Sequence, residues 1–126
     1  MNTLAALIAV LLPVFAKVES NNNPNAVGDK GNAVGIYQIW PSYVEDVNRI
    51  SKRSYTLEDR KDAKKSKEMV EIYLTHYGRR VERLTGRKAT LEDLARIHNG
   101  GPNGFKKDCT KKYWSRCKKH LKGETK

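Results

Sequence analysis

A lone carboxylate, Glu19, stands at the end of an apolar run, in Val18-Glu19-Ser20, and Asn21-Asn22-Asn23-Pro24 follows at once. The run reads as a helix and the asparagines with Pro24 as its stop, so Glu19 falls at a helix C-terminus. The partial negative charge there disfavours a carboxylate, and burial beside Phe15 and Val18 would add desolvation. Both favour the protonated form, which suits a general acid better than a structural anion. A solvent-facing glutamate beside a loop is the plainer reading of the same residue.

Two further stretches carry polar groups that could join it. Gly35-Ile36-Tyr37-Gln38-Ile39 sets Gln38 between apolar neighbours, and alternation sends Ile36 and Gln38 one way, Tyr37 and Ile39 the other. A buried glutamine must find partners, either a ligand rich in hydroxyls and amides, such as a sugar, or the backbone. Ile97-His98-Asn99-Gly100-Gly101-Pro102 forms a second polar turn at a helix end. His98 could serve as a base, a metal ligand or a ring packed against the site. Three histidines without ligand spacing argue against metal. Between Glu19 and Pro41 the one other acid is Asp29, flanked by Gly28 and Lys30, in what reads as an exposed turn.

The elements that must position these groups are nearly all helical. Pro13 opens a helix carrying Val14, Phe15 and Val18, or kinks a longer one starting near Thr3. Ala26 to Ile39, with Gly28, Gly31 and Gly35, reads as an irregular loop with a small hairpin around Asp29-Lys30-Gly31. Tyr43, Val44, Val47 and Ile50 mark a helix after Pro41. Asp62 caps a long helix ending at Tyr77, where Gly78 is the natural terminator, and Val81 and Leu84 suggest a short helix beyond. Thr56-Leu57-Glu58-Asp59 and Thr90-Leu91-Glu92-Asp93 both have the shape of a capping box. Asn99 to Gly104 reads as a tight loop, and Thr110 caps a last helix with Tyr113, Trp114, Cys117 and Leu121.

The chain has 126 residues, which fits one domain over 1–126. Its net charge is +11, and the stretch 104–126 holds nine Lys/Arg against Asp108 and Glu124. That balance suits a polyanion-facing surface or a solvated basic face. Leu4 to Phe15 is too short to span a bilayer, which takes roughly 20 residues. It resembles a signal h-region without a basic start and is read as a core helix, a leader being the second choice. On one helix Cys109 and Cys117 would lie about 12 Å apart, beyond the roughly 7 Å a disulfide allows, so thiols are expected unless Cys109 precedes the helix.

Glu19-Ser20, Asn23-Pro24-Asn25-Ala26, Gly35-x-x-Gln38-Ile39-x-Pro41 and Asn99-Gly100-Gly101-Pro102, in that order, resemble the SLT-domain lytic transglycosylase family of the lysozyme-like superfamily. The resemblance covers about residues 11 to 121. It implies a mainly α, lysozyme-like fold: five or six short helices and a small irregular or β lobe beside a cleft. It implies Glu19 as the single catalytic acid/base. Ser20, Gln38, His98, Asn99, Gly100 and Tyr113 would bind or orient substrate, and no cofactor or metal is called for. The substrate would be peptidoglycan glycan strands, cut between N-acetylmuramic acid and N-acetylglucosamine with a 1,6-anhydro end. The enzyme would be a monomer acting in the periplasm or outside the cell, with its basic surface on anionic wall polymer. His98 departs from the aromatic residue common before the Asn-x-Gly turn of that family. Ile97 to Gly104 instead resembles invertebrate-type lysozymes, which implies a hydrolytic muramidase using Asp29 or a water oriented by His98. The rival outside enzymology is a basic nucleic-acid-binding module using the C-terminal lysines with Tyr113 and Trp114.

Overall fold

The computed structural model describes residues 3–121. It is mainly helical, as expected. Among the described residues there are five α-helices: α1 (Leu4–Ser20), α2 (Pro41–Ser51), α3 (Ala63–Thr85), α4 (Leu91–Gly100) and α5 (Lys111–Lys119). One two-stranded antiparallel sheet pairs β1 (Val27–Gly28) with β2 (Ala33–Val34). The chain packs as two compact units, one of Phe15–Tyr73 and the other of the described residues on either side. Expectations that concern residues 1–2 and 122–126, including the charges of Lys122, Glu124 and Lys126, fall outside the described residues.

Helix α1 is the longer of the two forms the sequence allowed. Pro13 lies inside it rather than at its first turn. Pro13 has no N–H to give the carbonyl of Ala9, but Ala9 is exposed and water can serve that oxygen. Ile8, Leu11, Leu12 and Phe15 recur at helical spacing and are buried. The helix ends where the asparagines begin: Asn21 and Asn22 take positive φ of 55° and 66°, a conformation asparagine tolerates better than most residues.

Gly78 does not terminate a helix. Helix α3 runs through it to Thr85, and Gly86, at φ 72°, follows the end. Val81 and Leu84 belong to this same helix. A Cβ at Gly78 would stand 2.8 Å from Leu4 Cδ2 and 3.1 Å from Leu94 Cδ2. The glycine serves close packing, and the packing outweighs its intrinsic cost of about 1 kcal/mol in a helix. Asp62 does cap α3, its Oδ1 accepting from Lys65 N at 2.8 Å.

Both capping boxes form. Thr56 Oγ1 accepts from Asp59 N and Asp59 Oδ2 accepts from Thr56 N, which opens a 3-10 turn, Leu57–Lys61. Thr90 and Asp93 do the same for α4. Thr110 precedes α5 as expected, but its hydroxyl does not cap the helix. Arg96 Nε donates to Thr110 Oγ1 at 2.8 Å, and the hydroxyl has the Gly104 carbonyl at 2.7 Å as acceptor. A bonding demand within the fold has taken the group that local sequence assigned to the cap.

The irregular stretch between α1 and α2 is shaped by one side chain. Arg60 Nη1 donates to the carbonyls of Asn32 and Ile39, both at 3.0 Å, and Nε to Leu57 O at 2.9 Å. Gly35 then turns against the backbone of the same arginine. Its φ is +91°, and a Cβ there would come within 2.0 Å of Arg60 O. Gly31, at φ +93°, has open space instead. Gly35→Ala should therefore lower unfolding stability well beyond Gly31→Ala, which pays only backbone strain of about 1–3 kcal/mol. Urea titration of the two variants makes the comparison.

Asp93 sets an acid limit on stability. Its burial raises the pKa, but the Arg87 fork at 2.7 and 3.2 Å, with Thr90, outweighs that and holds the carboxyl below its ordinary value. A depressed folded pKa gives stability that is complete above the unfolded value of about 3.9 and lost as pH falls through the folded one. Asp93→Asn should lower the urea midpoint at neutral pH and flatten the loss below about pH 4. A pH series of unfolding curves checks both.

Candidate active site

Glu19 occupies the last turn of α1 and is half-buried. Its neighbour fixes where that turn meets the glycine-rich loop. Ser20 Oγ donates to the Ile36 carbonyl at 2.8 Å, with Ala16 O at 3.3 Å as the alternative acceptor. The same oxygen accepts from Asn23 N at 3.1 Å. The loop thus returns to the end of the helix that bears the glutamate. Ser20 was expected to orient substrate; its hydroxyl is engaged in joining these two segments.

Gln38 is likewise committed to the loop. Its Nε2 donates to Gly35 O at 3.0 Å and Ala26 O at 3.2 Å, and its own φ is 52°. A Cβ at Gly28 would stand 2.5 Å from Gln38 Oε1, so glycine there is what admits the amide. Of the two readings open in the sequence, backbone bonding describes this nitrogen. The expected alternation holds in burial: Tyr37 and Ile39 are buried, Ile36 and Gln38 only partly. It arises from a turn closed by an isolated bridge between Val34 and Ile39 rather than from a strand.

Two tyrosines that the sequence marks only as helix core form a pair, one of them within the field of the Glu19 charge. Tyr43 and Tyr73 stack with ring centroids 3.7 Å apart and planes 12° apart, and both are buried. Desolvation drives the Tyr43 pKa well above its usual value, with Tyr73 and then the Glu19 charge adding to the rise. Tyr43 therefore remains a protonated phenol in the field of the glutamate. Helical spacing marks both tyrosines as core positions, and nothing local says where a phenol at the edge of a core will point. Trp40 stands at the start of α2 and is 43 % exposed, an indole at the end of the same loop.

Asp29 sits at the hairpin tip, exposed, at φ 48°. The hairpin is the one expected: Val27 pairs with Val34 and Gly28 with Ala33. Asn32 closes the tip through its N and Nδ2, which donate to Asp29 O at 3.2 and 3.1 Å. Glu45 is exposed, and Asp46, half-buried, pairs with Arg49.

The remaining expected residues lie in the other unit. His98 is buried in α4, and its ring is tilted 44° to that of Tyr113, with centroids 6.4 Å apart. Tyr113 is 4 % exposed, so it offers no face on which a nucleic-acid base could stack. Asn99 and Gly100 belong to the last turn of α4 rather than to the loop, which starts at Gly101, φ 89°. Asn99 is exposed. A Cβ at Gly100 would meet Thr110 Cγ2 at 2.4 Å, which gives that glycine a packing role. Cys109 precedes α5, as a bridge would require, yet both cysteines are thiols, Cys109 exposed and Cys117 buried.

The Destabilase family model matches residues 10–120, nearly the whole chain. Among similar proteins, Invertebrate-type lysozyme 6 of Caenorhabditis elegans is 33 % identical over 112 residues, covering 82 % of this chain and 80 % of that protein. Lysozyme of Meretrix lusoria is 31 % identical over 110 residues, covering 86 % and 85 %. The lysozyme-like superfamily suggested by the motifs stands, and within it the match is to Destabilase rather than to the SLT family.

The tie between helix end and loop is testable. Ser20→Ala strands the Ile36 carbonyl and should cost about 1–2 kcal/mol of stability. It should also speed tryptic cleavage at Lys30, because the loop is released. Unchanged cleavage with lowered stability would confine the effect of the hydroxyl to the helix end.

Proposed function

The chain belongs to the Destabilase family, and on that premise we propose that it is a muramidase, hydrolysing the β-1,4 bond between N-acetylmuramic acid and N-acetylglucosamine in peptidoglycan. The observation that carries this reading is the bond from Ser20 Oγ to Ile36 O. It ties the helix end bearing Glu19 to the glycine-rich loop whose hairpin tip carries Asp29. Glycoside hydrolysis ordinarily employs a pair of carboxylates, and these are the two this reading uses. The names of both relatives, each aligned over four fifths or more of its length, support it.

In this mechanism the Glu19 carboxyl gives its proton to the glycosidic oxygen as the bond to the anomeric carbon breaks. Asp29 supplies the second carboxylate, which stabilises the oxocarbenium-like centre. A water then adds to the anomeric carbon, and its proton returns to Glu19. Tyr43, held protonated, lends a polar phenol beside the glutamate without competing for its proton. Residues 1–126 act as one catalytic domain, on wall material outside the cytoplasm.

A second reading keeps the single-acid route to a 1,6-anhydro end. One feature favours it: Asp29 is exposed at a hairpin tip, and a loosely held carboxylate gives up much of the advantage of positioning. In that route the muramyl 6-hydroxyl replaces the water, and its proton goes to Glu19.

Glu19→Gln should cut turnover on purified walls by at least ~10²-fold, the scale of a lost general acid, without changing the melting temperature. Near-normal turnover would remove Glu19 from the mechanism. Mass spectrometry of the digest separates the two routes, since anhydro products are lighter by one water. Reducing-end products that disappear in Asp29→Asn are the expected result. Anhydro products unaffected by Asp29→Asn would establish the second route.

A further inference from the structure

Helix α5 and the turn before it carry a cationic face that the catalytic reading does not use. Lys106, Lys107, Lys111, Lys112, Arg116, Lys118 and Lys119 are all exposed. At about 100° per residue, the basic side chains of α5 sweep roughly 160° of its circumference. The opposite side buries Tyr113 and Cys117, with Leu121 just beyond the helix. No acid lies on α5. The nearest in sequence, Asp108, pairs with Lys111 at 3.2 Å across solvent, where such a pair is worth little. Lys112, Lys118 and Lys119 have no ion pair among the described residues. Like charges crowded on one short helix repel, and a bound polyanion relieves that repulsion.

Resting on the muramidase reading, we infer that this face binds a phosphate-bearing polymer attached to the bacterial wall, as a second point of attachment in addition to the glycan site. The chemistry of the face selects this occupant over other anions. Its apolar side is already buried, so the helix has nothing to insert into a bilayer. Tyr113 is buried beneath it, which leaves half-buried Trp114 as the one ring on α5 against which a base could stack, short of the successive aromatic platforms that single-stranded nucleic acid uses. Six of its seven cations are lysines, compact hydrated charges that suit a mobile array of phosphates rather than one fixed, two-pronged partner. A polymer linked to the substrate also turns glycan binding into a local event at raised effective concentration, which free nucleic acid cannot do.

The test measures binding apart from catalysis. The Glu19→Gln protein is pelleted with purified walls, intact or stripped of phosphate polymer by acid, across a salt series. Binding to intact walls should fall with salt, and stripping should weaken it about tenfold. Adding Lys112→Gln, Lys118→Gln and Lys119→Gln should give a similar loss. The salt slope should become shallower by about 2, at ~0.7 per neutralised phosphate. On a Glu19 background the triple substitution should leave turnover of small uncharged muropeptides unchanged, with an unaltered melting temperature. Equal binding to stripped walls would assign the attraction to peptide carboxylates and overturn the inference. So would an unaltered salt slope in the triple variant, or tighter binding to duplex DNA than to intact walls at equal salt. If the unsubstituted protein lacks muramidase activity while phosphate-dependent pelleting persists, the surface stands and the catalytic reading falls.

Discussion

Two buried arginines, Arg60 and Arg96, solve the same problem in the two units. Each unit contains an irregular stretch whose backbone carbonyls cannot all be met by a helix or sheet ladder, and an unmet buried carbonyl costs about 1–3 kcal/mol. The Arg60 guanidinium reaches Asn32, Ile39 and Leu57 carbonyls. The Arg96 guanidinium reaches Lys107 O, Thr110 Oγ1 and Glu92. Each arginine then backs its own carbonyl against a glycine of the stretch it serves. A Cβ at Gly35 would come within 2.0 Å of Arg60 O, and one at Gly104 within 2.0 Å of Arg96 O. The guanidinium remains charged in such a setting, although burial pulls the Arg60 pKa down against the opposing charge of Glu58. Five donors in one rigid group can pin several carbonyls at once, which no shorter side chain does.

This clasp matters to the chemistry because the glycine-rich loop has little regular structure to define it. Within it run two residue pairs of sheet, one isolated bridge, the Gln38 amide, the Asn32 bonds to Asp29 O and the Gly35 N–H to Ala26 O. Arg60 holds it at Asn32 and Ile39, and Ser20 holds its middle at Ile36. The loop can therefore carry positive-φ residues at Asp29, Lys30 and Gln38 without collapsing toward regular structure. Strain of this kind persists where the surroundings over-determine it. Glu19 gains by the arrangement: its helix ends in a defined place, against a loop of defined path, beside a tyrosine pair stacked face to face.

The two kinds of function divide along different physics. The catalytic reading rests on a few polar groups held at low freedom, where hydrogen bonds set geometry. The wall-binding inference rests on many mobile cations, where summed charge matters and no single contact does. A chain with net charge +11 can sustain both, because the acids that remain are largely spent on caps and local pairs such as Asp59, Asp93 and Asp46.

The sequence by itself determined that the chain is mainly helical and where α2, α3 and α4 start. Amphipathic spacing and the Thr56 and Thr90 boxes depend on partners three or four residues away, and such bonds form the same way whatever surrounds them. It also determined that Glu19 ends a helix and that a hairpin turns at Asp29 to Gly31. Tertiary structure decided what distant partners demanded. Gly78 reads as a stop until Leu4 and Leu94 are seen to need its missing side chain. Thr110 reads as a cap until Arg96, 14 residues earlier, takes its hydroxyl. The Ser20 hydroxyl and the Gln38 amide nitrogen read as polar groups in want of a partner until the Ile36 and Ala26 carbonyls meet them. The clasp itself links residues 28 apart. A local signal states what a side chain can bond to. Which partner it meets is settled only when the chain returns, because the free energy of a buried polar group depends on whatever arrives beside it.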